Sequence, residues 1–176
     1  MVLKNSQKKS NKSKFLIKAS MLFFVDAMLG NIAKKLRLLG FDCEYFSDID
    51  DSELLEKSKN ENRTIISKDQ NLIKRAEKIN IQSIYISKED EIKQFLEIRE
   101  KTHLEFNDIS GDVARCPKCN FTTSKIKKSE IINKIPEKIL KYHDKFWKCD
   151  GCNQIYWEGT HIKNLQEFVS KIKYNI

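Results

Sequence analysis

The stretch MLFFVDAMLGNIAKKLRLLGFDCEYF, residues 21–46, decides the fold. Leu22–Val25 is a short uninterrupted apolar run, the pattern of a strand buried on both faces. From Asp26 to Leu39 the period lengthens. Apolar residues fall at Met28, Leu29, Ile32, Ala33, Leu36 and Leu39, one face of a helix, and Gly40 supplies the stop. Asp42–Phe46 then reads as a second strand. Strand, helix and strand in this order predict parallel pairing through a right-handed crossover.

The alternation continues outward. Asp50-Asp51-Ser52-Glu53 opens a helix through Asn60, with Asp50 and Glu53 at capping-box spacing. Thr64–Ser67 is a third strand, Asn71–Ile79 a third helix, Ser83–Ser87 a fourth strand and Glu89–Leu104 a longer helix. This is an α/β domain over residues 21–111 with a parallel sheet. After Asn107–Gly111 the period changes. Residues 112–161 carry paired cysteines and short apolar stretches, with hairpin strands or a loop expected around Lys134–His143. Residues 162–176 read as a C-terminal helix or tail, and 1–20, rich in Lys, Ser and Asn, as a disordered basic extension.

The 176 residues carry a formal net charge of +8, unevenly spread. Residues 1–20 hold six Lys and no acid, 21–111 are net −4, 112–161 net +4 and 162–176 net +2. Acid concentrates where a cation could sit and base where a polyanion could be held. The longest apolar run, Met21–Val25, is far short of a membrane span of about 18 residues. With no secretory h-region, the chain reads as cytoplasmic.

Cys116-Pro117-Lys118-Cys119 and Cys149-Asp150-Gly151-Cys152 are two CxxC units separated by 29 residues. Two thiolate pairs close a tetrahedral structural Zn²⁺ site, and Asn120 and Asn153 suit the left-handed end of each metal-binding turn. Disulfides and an iron–sulfur cluster are the alternatives. The first has no oxidising compartment in its favour, and the second uses closer-set cysteines. Cys43, alone in a strand, reads as a small buried hydrophobe.

In an open parallel sheet, ligands bind beyond the carboxyl ends of the strands. Asp26 follows the first strand, Asp48–Asp51 the second and Asp69 the third. Gathered there, carboxylates call for a divalent cation, Mg²⁺ or Mn²⁺ by ligand type, which suits phosphodiester cleavage. Asp26, Asp50, Asp51 and Asp69 also precede helices, where Asp is a favoured N-cap, so capping competes with catalysis at each. Met28 stands where a haloacid-dehalogenase-type phosphatase needs its second Asp, and no receiver-type acidic pair is present.

Three groups of residues carry a resemblance. Phe24-Val25-Asp26-Ala27-Met28-Leu29-Gly30, Leu36-Arg37-Leu38-Leu39-Gly40-Phe41-Asp42 and Thr64-Ile65-Ile66-Ser67-Lys68-Asp69 resemble the PIN-like ribonuclease family named for the C-terminal domain of mutator-seven exonucleases. Arg115–Asn120 and Phe146–Cys152 are similar to its appended zinc ribbon, and Ile155–His161 to its closing motif. The resemblance implies a PIN-like three-layer α/β/α sandwich followed by a four-Cys zinc ribbon, and a metal-dependent RNase activity. It implies Asp26, Asp51 (with Asp50 beside it) and Asp69 as the catalytic acids, and Arg37 as a basic position facing phosphate. Lys35, Lys68 and Asn153 depart from the aromatic, Arg and Gly frequent there. Arg63 and Lys68 are further candidates for phosphate, and Arg115, Lys118, Lys125, Lys127 and Lys128 for holding RNA. The alternative is a non-catalytic RNA-binding or ribosome-associated adaptor that uses the ribbon alone.

Overall fold

The computed structural model describes residues 21–174; the basic extension assigned to 1–20 lies outside the described residues. Four parallel strands form the first sheet: β1 (Leu22–Val25), β2 (Asp42–Glu44), β3 (Thr64–Ser67) and β4 (Ser83–Tyr85), in the order β2-β1-β3-β4. Phe23 pairs with Cys43 on one side and Thr64 on the other, so β1 is central and β2 is an edge. Side chains alternate across β1. Phe23 and Val25 enter one core with α1 (Gly30–Leu38) and α4 (Glu91–Thr102), while Phe24 enters a second core with α2 (Asp51–Asn60) and α3 (Gln70–Lys78). The sheet is therefore covered on both faces, as the unbroken apolar run of its β1 requires.

The helix boundaries follow local chemistry. Asp50 accepts hydrogen bonds from the Ser52 and Glu53 N–H groups, and Asp69 from those of Asn71 and Leu72. At the end of α1, Phe41 N–H reaches the Leu36 carbonyl and Gly40 N–H the Arg37 carbonyl, a Schellman stop with Gly40 at φ 90°. A Cβ on Gly40 would lie 2.6 Å from the Val113 carbonyl oxygen, so the same glycine lets the second unit approach.

The expected helix from Asp26 is interrupted. Ala27–Leu29 is a 3₁₀ turn, and Leu29 at φ −116°, ψ 30° separates it from α1. The apolar spacing of Met28 and Leu29 fits either helix type, so sequence periodicity misses the break. Asp26 makes no capping bond as a result.

The second sheet is antiparallel, β5 (Thr123–Ile126), β6 (Phe146–Cys149) and β7 (Ile155–Trp157), in that order. The connection from β5 to β6, expected as hairpin or loop, contains a short helix, α5 (Glu137–Tyr142). The last helix, α6 (Thr160–Tyr174), returns to the first unit. Leu165, Val169 and Ile172 join Phe95 and Ile98 in its core, and Arg99 donates to the Ile172 carbonyl. The segment expected as a terminal helix or tail is thus a layer of the α/β unit. Among the described residues, no helix is long and apolar enough to cross a membrane.

Candidate metal centre and carboxylate edge

Each CxxC folds as a tight turn closed by an asparagine. Asn120 N–H bonds the Cys116 carbonyl at 2.9 Å and Asn153 N–H the Cys149 carbonyl at 3.1 Å, with φ of 66° and 61°. The two turns bring the Sγ atoms of Cys116, Cys119, Cys149 and Cys152 within 4.8 Å of one another. Across the turns, Cys116 and Cys152 are 3.6 Å apart and Cys119 and Cys149 3.3 Å. A tetrahedron of Zn–S bonds near 2.3 Å has edges of about 3.8 Å, so four free thiols at this spacing fit a zinc ion with no open position. Tyr156 Oη lies 2.9 Å from Cys116 Sγ. Burial opposes ionisation of Cys116, but this contact and the N–H groups of Cys119 and Lys118 overcome it and hold the thiol at about 7. Cys43 is the opposite case: burial pushes its thiol up to about 12, which leaves it inert.

The centre is docked on the edge strand. Asn120 Oδ1 accepts from the Cys43 N–H at 3.0 Å, and the Arg37 Nε donates to the Cys43 carbonyl at 2.7 Å. Both outward backbone groups of the edge residue are therefore satisfied by side chains, which closes β2 to further strand pairing. Arg37 Nη1 also donates to the carbonyls of Pro117 and Lys118 in the first knuckle. Beside this joint, Asp42 Oδ1 accepts from Arg63 (2.7 Å) and Asn120 (2.9 Å), and Oδ2 from Arg115 (2.8 Å).

These contacts show where three of the arginines expected at phosphate or RNA are placed. Arg37 is 3% exposed and Arg63 8%, and their guanidiniums hold backbone carbonyls and carboxylates. Arg115 is half-buried and spent on Asp42 and Asn120. The sequence shows only arginines. Asp42, the partner of Arg63 and Arg115, lies 21 and 73 positions from them, and no periodicity marks it.

Burial raises the Asp42 pKa, but the hydrogen bonds from Arg63 and Asn120 and the charges of Arg63 and Arg115 hold its carboxyl below the usual carboxylate range. A folded-state pKa below the unfolded one, about 3.9, adds stability that is complete above that pH and is lost as pH falls through the folded value. Asp42→Asn is expected to cost about 2–3 kcal/mol at pH 7, less than for a fully buried pair because the carboxylate is partly exposed. Urea unfolding of both proteins at pH 7 and pH 3 checks this: the gap between them should narrow at pH 3.

At the carboxyl edge of the sheet, Asp26 stands half-buried and free of capping duty. Its Oδ2 accepts from Ser67 Oγ at 2.6 Å, and Ser67 Oγ in turn accepts from the Asp69 N–H at 2.9 Å. Ser67, fully buried at the end of β3, thus joins Asp26 to Asp69. Asp69 and Asp50 cap α3 and α2, and Asp51 is paired with Arg75 at 2.9 Å. Among the described residues, the four cysteines are the group of three or more ligand atoms lying within 4.8 Å of one another; Asp26, Asp51 and Asp69 form no such group. Lys68 pairs with Glu89, and the Lys118 side chain is exposed. Sequence reasoning passed over Ser67, although in Ser67-Lys68-Asp69 the strand alternation puts Ser67 on the face of Ile65, toward α2 and α3.

Fold and site together define an α/β protein with carboxylates at its sheet edge and a four-cysteine centre built onto its edge strand. The chain belongs to the Mut7-C RNAse domain family, whose model matches residues 21–169 and so spans the sheet, the ribbon and most of α6. No curated protein and no solved structure matches it. The family indicates a ribonuclease-type function.

Proposed function

We propose that this chain is a metal-dependent ribonuclease whose catalytic edge is built on Asp26, with Asp69 and Asp51 (and Asp50 beside it) as further acids, and whose ribbon, folded by structural zinc, aids RNA binding. One observation supports this above the rest: Asp26 ends the central strand without capping a helix, and a fully buried serine exists to orient it. A carboxylate held in one orientation at the sheet edge and bonded to no cationic side chain among the described residues is suited to a hard cation. Mg²⁺ and Mn²⁺ tend to keep waters and to be held by one or two carboxylates plus substrate phosphates, so separated acids suit them. Such an ion would activate water and neutralise charge on the phosphodiester. The chain's own part is to hold the Asp26 carboxylate through Ser67 and to fix Asp69 by its cap. Four thiolates require a reducing compartment, in keeping with the cytoplasm.

One set of contacts favours the adaptor reading: Asp50 and Asp69 cap helices and Asp51 is neutralised by Arg75. Full-length protein incubated with labelled single-stranded RNAs separates the two. Cleavage should require added Mg²⁺ or Mn²⁺ while the zinc content stays at about one per chain. Binding without cleavage under every divalent ion would leave the adaptor.

A further inference from the structure

The residues between β5 and β6, 127–145, carry six Lys against three acids. The segment is anchored at its base. Ile131 is fully buried, Lys128 and Asp144 pair at 3.2 Å across its two ends, and the His143 ring lies 6.5 Å from Trp157. Its acids are largely engaged, because Glu130 accepts from the Lys127 N–H and Asp144 from Lys128. Its bases are not: Lys134, Lys138 and Lys141 have no ion-pair partner among the described residues. The period of α5 sets Lys138, Lys141 and Tyr142 at i, i+3 and i+4, one stripe, and all three are exposed, Tyr142 to 68%. Ile139 and His143, also four apart, take the less exposed side. A helix that turns its ring and its lysines outward together has been given a polar-aromatic face that its own packing does not use.

We propose that this stripe of α5, with Lys134 just before it in the chain, is a docking surface for single-stranded RNA: the three ammonium groups neutralise phosphates, and the Tyr142 ring stacks an unpaired base. The proposal rests on the RNA substrate of the preceding reading, and it moves RNA holding away from residues expected to do so. Lys125 is paired with Asp112, Lys128 with Asp144 and Arg115 with Asp42. An acidic peptide would use the lysines but not the phenol ring. Duplex RNA hides its base faces, whereas a single strand offers them at every nucleotide.

Anisotropy of a labelled single-stranded RNA, titrated with full-length protein without divalent ions across 50–300 mM salt, tests it. Each lysine–phosphate contact in a single strand contributes about 0.7 to the slope of log affinity against log salt. Lys138→Ala with Lys141→Ala should therefore lower the slope by about 1.4 and weaken binding at 0.1 M salt by about twentyfold. Tyr142→Ala should weaken binding by about tenfold with the slope unchanged, and Tyr142→Phe should restore it. Unchanged affinity and slope in the lysine variant would overturn the proposal, as would a Tyr142→Ala protein that binds like the parent, the result an acidic-peptide surface gives. All substitutions are at exposed positions, and zinc content and thermal unfolding confirm the fold. Failure here is distinguishable from failure of the nuclease reading. RNA binding through α5 without cleavage in Mn²⁺ sinks the latter alone, while normal cleavage and KM in the variants sink the surface alone.

Discussion

Replacing Cys149 with Ser, or stripping zinc with a thiol-competitive chelator, is expected to unfold the ribbon and to lower the thermal midpoint of the whole chain by about 10 °C or more. Apparent zinc-binding energies of four-ligand sites run on the order of 10 kcal/mol, and in small units that is folding energy. Beyond the point where the four Sγ atoms converge, the ribbon has three short strands, the short α5 and a few buried apolar residues, Ile131, Phe146 and Trp147 among them. The damage should spread, because the first knuckle is also the cover of β2. Asn120 leaves the Cys43 N–H when the turn opens, Arg37 loses the Pro117 and Lys118 carbonyls, and Asp42 loses Asn120 and Arg115. A loss of about 4 kcal/mol at this joint corresponds to the stated shift for a chain of this size. Hydrogen exchange should therefore accelerate at Cys43 as well as in 116–152, and the bared edge should promote aggregation. Exchange at β2 unchanged after zinc removal would show that the two units fold independently.

The parallel sheet was legible because its central strands are buried on both faces and carry short apolar stretches, Leu22–Val25 and Ile65-Ile66, between helical periods. The cysteine centre was legible because two equal CxxC spacings have few chemical uses. What stayed hidden shares a physical cause, contacts distant in sequence. Nothing near Leu165 or Val169 says that they pack on Phe95, and nothing near Arg37 says that its guanidinium meets carbonyls 80 positions on. Arginine and lysine look alike to a charge count, yet the arginines went into the joint, where a planar fork can satisfy several acceptors, and the lysines of α5 stayed outside. At the carboxylates the sequence offered capping or catalysis, and the geometry divides them by position: Asp50 and Asp69 cap, and Asp26 does not.

That division makes the sharpest functional test. Asp26→Asn is expected to reduce cleavage about a thousandfold, near 4 kcal/mol of transition-state stabilisation, with little change in thermal stability. The amide oxygen can still accept from Ser67 Oγ, and no capping bond is lost, so the fold should not notice what a cation would. Asp50→Ala should differ: about 1 kcal/mol of stability is lost with its cap, and cleavage should fall far less than in Asp26→Asn. Ser67→Ala falls between them. It frees the Asp26 carboxylate and the Asp69 N–H together, and support groups behind a metal ligand are commonly worth 10- to 100-fold. A positioning role predicts that the Mn²⁺ concentration for half-maximal rate rises in Ser67→Ala, whereas a purely structural role would lower thermal stability and leave that concentration alone. If Ser67 acts through Asp26, adding Ser67→Ala to Asp26→Asn should cost almost nothing more, because residues that work as one unit are not additive. An Asp26→Asn protein that cleaves at the parent's rate would remove the carboxylate edge from the mechanism, whatever the ribbon does with RNA.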